Sequence, residues 1–326
     1  MILPYLVRLL CLCFASFFVL NLAASLLVRI ASKSALRFAE SITPRGAARF
    51  LLVLRLLPFA LAVLFVVVLC VPSYLWLEPA ATAERVGVFC VALGFLGAAT
   101  WLISIARTAV SLIASSRHLL FCRSAGQETL IAWNSSLVLL VEVETPLLAL
   151  SGLLRPRLLI SESVLRNLSA EELDAALSHE LAHRASRDNA KRFLLLLAPD
   201  ILPFLRPLQS LEHCWSRFAE WSADDQATSG DPRRALSLAA ALVRVARMGS
   251  SPPLPYLSTS LLACDRDLSA RVDRLLHAAP IAPVSAEKSQ HPLRTAGFLA
   301  TAALGALWVT PYVLSSVHEL LELLVR

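Results

Sequence analysis

The chain has 326 residues, 57% of them hydrophobic and 17% charged, with a formal net charge of +6 and a mean hydropathy of +0.66. So apolar a composition at this length excludes an ordinary soluble globular protein and points to a membrane protein. Nor does the positive excess indicate a nucleic-acid binder: residues 116–294 carry 20 Lys/Arg against 19 Asp/Glu, so the excess lies in the apolar remainder, where Lys and Arg mark cytoplasmic flanks.

Residues 1–115 predict three transmembrane helices, at about 5–29, 50–76 and 86–113. The first is interrupted by Arg8 and Asn21 and is followed by Arg29, Lys33, Arg37, Arg45 and Arg49 against Glu40 alone, which places a loop over 31–49 in the cytoplasm. In the second, Pro58 predicts a kink and Trp76 suits an interface. Short, and carrying Glu78, Glu84 and Arg85 rather than a basic cluster, the connector at 78–85 fits the outside, so the third span returns the chain to the cytoplasm. A domain at 116–294 follows, and 295–326 holds a fourth span, Ala296–Val317, with the C-terminus. The seven cysteines form no CxxC pair and are scattered, which fits a reducing compartment for the polar part.

The domain opens with strand-like pieces at Leu130–Trp133 and Leu137–Val143, separated by the turn signal Asn134-Ser135-Ser136. Two short extended runs follow between Pro146 and Ile160. Ser169, with Glu172 three residues on, then predicts a capped helix. It contains His179-Glu180-Leu181-Ala182-His183. Residues i and i+4 share a helix face, so His179 and His183 are candidate ligands of one Zn²⁺, with Glu180 beside them as the candidate general base. Further helices are expected over Phe193–Leu205, Leu211–Thr228, Pro232–Met248 and Leu268–His277, and a Pro/Ser linker over Pro280–Pro292.

A catalytic zinc takes three protein ligands and an open position. Glu220 is the expected third ligand, and Asp224, one turn on, is expected to accept from the far ring nitrogen of a ligating histidine. Glu212 and Asp225 are weaker alternatives for the third ligand. His213 and Cys214 have no second ligand at helical spacing, and His118, His277, His291 and His318 are read as non-catalytic.

Taken together, three spans, the HELAH helix, Asp188 five residues after His183, Glu220-x-x-x-Asp224 and a fourth span resemble the BlaR/MecR-type membrane metallopeptidases, which are gluzincins. Pro146…Gly152…Pro156…Ile160 and Phe204-Leu-Arg-Pro207-Leu208 are similar to stretches of that family, and the likeness covers most of 140–280. HtpX-like and CAAX prenyl proteases share HExxH and ExxxD, and Asp231-Pro232…Ala235-Leu236 is similar to them, but their gap to the glutamate is usually longer.

The resemblance implies an α-helical membrane protein of about four transmembrane helices with an inserted α+β zincin-type (gluzincin) metallopeptidase domain. It implies one Zn²⁺ per chain, a protein or peptide substrate, the lipid bilayer as surroundings, and regulated proteolysis or signalling at the cytosolic face of a bacterial inner membrane. A homodimer, or a separate sensor or repressor, is the expected partner. By analogy, substrate is expected to add as a strand to an edge strand near Pro146–Ile160. Receptors of this type carry a penicillin-binding domain after the last span; the sequence ends at Arg326, so β-lactam sensing is not expected of it. An inactive zinc-binding membrane scaffold is the alternative of another class, disfavoured by the intact Glu180.

Overall fold

The structure, a computed structural model, describes residues 4–78, 86–124, 126–130, 137–143, 145–200, 206–249, 254–261, 267–277 and 311–325. Three of its helices are long and apolar enough to cross a membrane: α1 (Tyr5–Glu40), α2 (Pro44–Leu77) and α3 (Val88–Ser124). With 36 residues, α1 reaches about 54 Å, well past the roughly 30 Å of a hydrocarbon core. No proline or glycine lies between Tyr5 and Thr43 to stop it. The loop expected over 31–49 is therefore mostly helix, closed by a short turn where Thr43 caps α2 and Pro44 opens it. Pro58 sits inside α2 without ending it, and a π-helical stretch follows at Val66–Cys70.

The two polar interruptions of the first span both face inward. Arg8 lies 3.4 Å from Glu78 at the far end of α2, and Asn21 donates to the Pro199 carbonyl at 3.4 Å. α1 and α3 touch closely: a Cβ on Gly94 would stand 2.9 Å from the Cys11 carbonyl oxygen, so only glycine fits.

Beyond α3 comes a five-stranded sheet, β1 (Gly126–Leu130), β2 (Leu137–Val141), β3 (Leu148–Ser151), β4 (Arg157–Ser161) and β5 (Ser258–Ser260), in the order β1-β2-β4-β3-β5. Only β2 and β4 pair in parallel. β1 starts four residues before the expected Leu130; residues 131–136, with the expected turn, lie outside the described residues. Contrary to the sequence-based expectation, the Pro146–Ile160 stretch offers no free edge. β3 is hydrogen-bonded to β4 on one side and to β5 on the other, with Leu150 opposite Thr259. The distant segment around 258–260, invisible as a strand in a Ser-Thr-Ser run, takes that edge.

α4 (Glu162–Asn167), α5 (Ala170–Ser186), α6 (Asp188–Leu197), α7 (Arg206–Thr228), α8 (Pro232–Arg247) and α9 (Leu268–Leu276) complete the domain. Leu148, Leu150, Leu158 and Ile160 of the sheet share one core with Ala175, Ala176 and Leu177 of α5 and Leu238 and Leu242 of α8. The run expected as one helix over 193–205 is α6 ending at Ala198-Pro199; 201–205 lie outside the described residues. A second core joins the α1–α2 hairpin, through Val28, Ala47 and Leu51, to Leu195, Trp215 and Phe218. The hairpin carrying the basic residues thus packs directly on α7. Of the expected fourth span and the linker before it, 278–310 lie outside the described residues; α10 (Pro311–Val325) runs past Val317 and packs its Val317 and Leu321 against Leu12, Cys70 and Tyr74.

Candidate metal centre

The metal-facing helix α5 is fixed at both ends. Ser169 accepts from Glu172 N at 3.2 Å while the Glu172 carboxylate accepts from Ser169 N at 2.8 Å, the capping box expected from the sequence. At the other end Arg187 takes a left-handed conformation (φ 55°), and α6 starts at once with Asp188. That sharp reversal brings Asp188 Oδ2 to 2.7 Å from His183 Nδ1.

His179, His183 and Glu220 converge, with one donor atom from each all within 4.8 Å of one another. All three are buried, as is Glu180. The two imidazole Nε2 atoms are 3.1 Å apart. Glu220 Oε2 is 3.4 Å from His179 Nε2, and Oε1 is 3.5 Å from His183 Nε2. Donors about 2.0–2.1 Å from a tetrahedral zinc stand about 3.3 Å apart; the two Nε2 atoms are near that spacing, and each lies at a similar distance from a different oxygen of Glu220.

The outer nitrogens decide what the inner ones can do. His183 Nδ1 donates to Asp188. His179 Nδ1 stands 2.9 Å from Asp224 Oδ1, in charge contact though not aimed squarely for a hydrogen bond. With the ring protons drawn to these outer carboxylates, neutral imidazoles present two Nε2 lone pairs to each other. Lone pairs facing at that distance repel unless a cation or a proton lies between them. Among the described residues, neither Glu180 oxygen has a hydrogen-bond partner, and the Glu220 oxygens make ion-pair contacts, with His179, His183 and Arg271, but no hydrogen bond. Orphaned carboxylates and opposed lone pairs are the features a bound divalent cation would satisfy, so the donor set fits zinc.

The electrostatics agree. Burial opposes charge on His183, but Glu220 and Asp188 outweigh it and push its pKa up to about 10 in the metal-free chain. Burial likewise opposes ionisation of Asp224, yet Arg271 and His179 draw it down to about 2. Glu220 is held well below the usual carboxylate range against burial, by His183, His179 and Arg271. The site therefore favours positive charge where the Nε2 atoms meet. Glu180 behaves in the opposite way: burial raises its carboxyl above the usual range.

Sequence reasoning missed Arg271. Its guanidinium makes a fork on Asp224 (Nε–Oδ2 2.9 Å, Nη2–Oδ1 2.7 Å), reaches Glu220 Oε2 at 3.2 Å and donates to the Leu261 carbonyl at 2.8 Å. It sits between Leu268 and Leu275 on the buried face of α9, and an arginine inside an apolar stripe was the signal available. Asp188 was noted only for its spacing. The weaker ligand candidates point elsewhere: Glu212 meets the Tyr256 hydroxyl, and Asp225 pairs with Arg274 at 2.6 Å. His213 is exposed, and His118, His277 and His318 lie outside the cluster; His291 is outside the described residues.

Among curated proteins the chain is similar to a "Protease HtpX homolog" of Archaeoglobus fulgidus, 46% identical over 46 residues, 14% of each chain. The chain thus spans about 14% of the length of that relative. Residues 85–275, more than half of the chain and including every side chain of the site, match the family described as BlaR1 peptidase M56. The matched region and the three apolar helices together make this chain a membrane-associated member of the M56 (BlaR1) metallopeptidase family.

Proposed function

We propose that the chain is an integral-membrane zinc endopeptidase that cleaves protein substrates on the cytosolic side of a bacterial inner membrane. Residues 1–115 serve as the membrane anchor, 116–294 as the peptidase domain and 295–326 as a returning span. The observation that carries this proposal is the convergence of His179, His183 and Glu220, one donor atom from each lying within 4.8 Å of the others, all of them buried. Those three residues hold the metal, which when bound polarises a peptide carbonyl and acidifies a water. Glu180 takes a proton from the attacking water and passes it to the leaving amine. Asp188 and Asp224 keep the rings in the tautomer that turns Nε2 inward, and Arg271 holds Asp224 and Glu220 in place.

The cytosolic assignment is supported by the packing of α7 on the α1–α2 hairpin: the side that holds Arg29, Lys33, Arg37, Arg45 and Arg49 also holds the site. A second copy or a separate sensor is the proposed trigger, and a repressor-like protein the proposed substrate class. The match to the Archaeoglobus protein favours a second reading, a processing or quality-control protease with the same chemistry.

The experiment is zinc content and peptide hydrolysis of the purified full chain beside Glu180→Gln. Wild type should bind one zinc and cut; Glu180→Gln should bind zinc and not cut. Zinc bound without any hydrolysis by wild type would favour the inactive scaffold. For sidedness, in a cysteine-free background a single cysteine at Ser269 should be shielded from an impermeant reagent in intact cells and one at Ala81 should react.

A further inference from the structure

We propose that the cleft next to the metal-facing helix is a subsite for acidic side chains of the peptide being cut, an inference that rests on the peptidase proposal above. The cleft holds about 920 Å³ and lies between the β3–β4 connection and the reversal from α5 into α6. His183 and Asp188 are on its inner wall, and four arginines surround it: Arg155 and Arg157 from the connection, Arg184 and Arg187 from the end of α5.

Three of these arginines, Arg155, Arg184 and Arg187, carry charge uncompensated among the described residues. Asp188 is the acid on the wall, and both its oxygens are taken, Oδ2 by His183 at 2.7 Å and Oδ1 by Lys191 at 2.6 Å. Arg155, Arg184 and Arg187 are exposed and have no ion-pair partner among the described residues. Elsewhere on the domain Arg166, Arg217, Arg234, Arg244 and Arg274 each face a carboxylate. Arg233 and Arg247 stand singly at the two ends of α8; among the described residues of the domain, only at the cleft do unpaired arginines gather around a concavity. A concave surface lined by one sign of charge focuses its field on an incoming ion, and guanidinium forks match carboxylates two bonds at a time.

The wall is built rather than loose. Gly152 (φ 108°) turns the chain out of β3 in a conformation open to glycine. Buried Asn189 donates to the carbonyls of Leu150 at 3.2 Å and Gly152 at 2.9 Å, fastening the arginine-bearing connection to the helix that supplies Asp188. The fixed basic surface thus shares His183 with the metal centre, meeting that ring from its Asp188 side. Lipid headgroups are the less suited ligand. Gly152 lies beside Leu119 of α3, six residues past the end of the third span expected at about 113, which is about 9 Å at 1.5 Å per residue.

The test is binding to the full-length Glu180→Gln chain in detergent micelles, read by fluorescence anisotropy. The probes are labelled decapeptides of one apolar composition carrying a central Asp-Glu, Ser-Ser or Lys-Lys pair. The acidic peptide should bind about tenfold or more tightly than the serine peptide, with the lysine peptide weakest, and phosphatidylglycerol added to the micelles should not displace it. Arg155→Glu and Arg184→Glu, both at exposed positions, should each abolish or invert the order. Equal affinities, an order unchanged by both reversals, or displacement by the anionic lipid would overturn the subsite. Binding without cutting separates the two proposals: wild type that hydrolyses peptides with no acidic preference overturns the subsite alone, and acidic preference in a chain that cuts nothing overturns the peptidase alone.

Discussion

Two buried polar clusters in this molecule use the same materials to opposite ends. At the membrane-side junction, each of the first three helices sends a polar group to the end of α6 or the turn after it. Asn21 of α1 donates to Pro199 O at 3.4 Å, Arg55 of α2 binds Asp200 Oδ1, and Ser104 of α3 donates to Leu196 and Leu197 carbonyls at 2.8 Å. Arg107 adds a second cation, 3.6 Å from Asp200 Oδ2. Both oxygens of that acid are answered by arginine. At the metal centre Asp188, Asp224 and Arg271 contact the outer atoms, while the two inner Nε2 atoms stand 3.1 Å apart beside Glu220 and, among the described residues, neither Glu180 oxygen has a hydrogen-bond partner. A cluster whose carboxylate has both oxygens paired holds structure; one that keeps a buried carboxylate unpaired holds a space for chemistry.

The sharpest break between the two clusters is Glu180→Gln. It should lower peptide hydrolysis by about 10²–10⁴-fold while leaving zinc content and thermal unfolding near wild type, because no folded-state partner of that carboxylate is lost. Arg55→Leu should do the reverse. It strands Asp200 at the junction and should cost about 3 kcal/mol, the lower part of the range for breaking a buried pair because Arg107 remains. Thermal unfolding in detergent reads this, and the protein still folded should bind zinc normally.

Between these extremes lie the residues that touch the metal centre only from outside. Asp224→Ala and Arg271→Lys should each weaken zinc about 10–100-fold by chelator competition, with one zinc still bound at saturation. Unchanged affinity in Arg271→Lys would reduce that fork to a structural role. The smallest effect is expected at Ser104→Ala, about 1 kcal/mol of stability and no change in zinc affinity or turnover.

The metal centre was more legible in the sequence than the fold around it, for a physical reason. His179, Glu180 and His183 lie on one helix turn, and Glu220 and Asp224 on another, so local periodicity alone puts each group on one face. Arg271 and Asp188 depend on tertiary placement: the first on where α9 docks, the second on a left-handed Arg187 that no local signal announces. Among the membrane helices, Arg8 and Asn21 read as flaws in an apolar run, yet both are buried against partners far along the chain. The sheet was the least legible. β5 is three residues of Ser-Thr-Ser whose pairing with β3 spans more than a hundred residues, and hydrophobic patterning carries no trace of it.

The most direct measurement is zinc K-edge X-ray absorption on the full-length chain and on Glu220→Ala. Four nitrogen or oxygen neighbours at about 2.0–2.1 Å, with outer scattering from two imidazoles, are expected for wild type, and loss of one light neighbour, or of zinc altogether, for Glu220→Ala. A sulfur neighbour near about 2.3 Å, a single imidazole, or a spectrum unchanged by Glu220→Ala would contradict the assignment of His179, His183 and Glu220 as the metal's ligands.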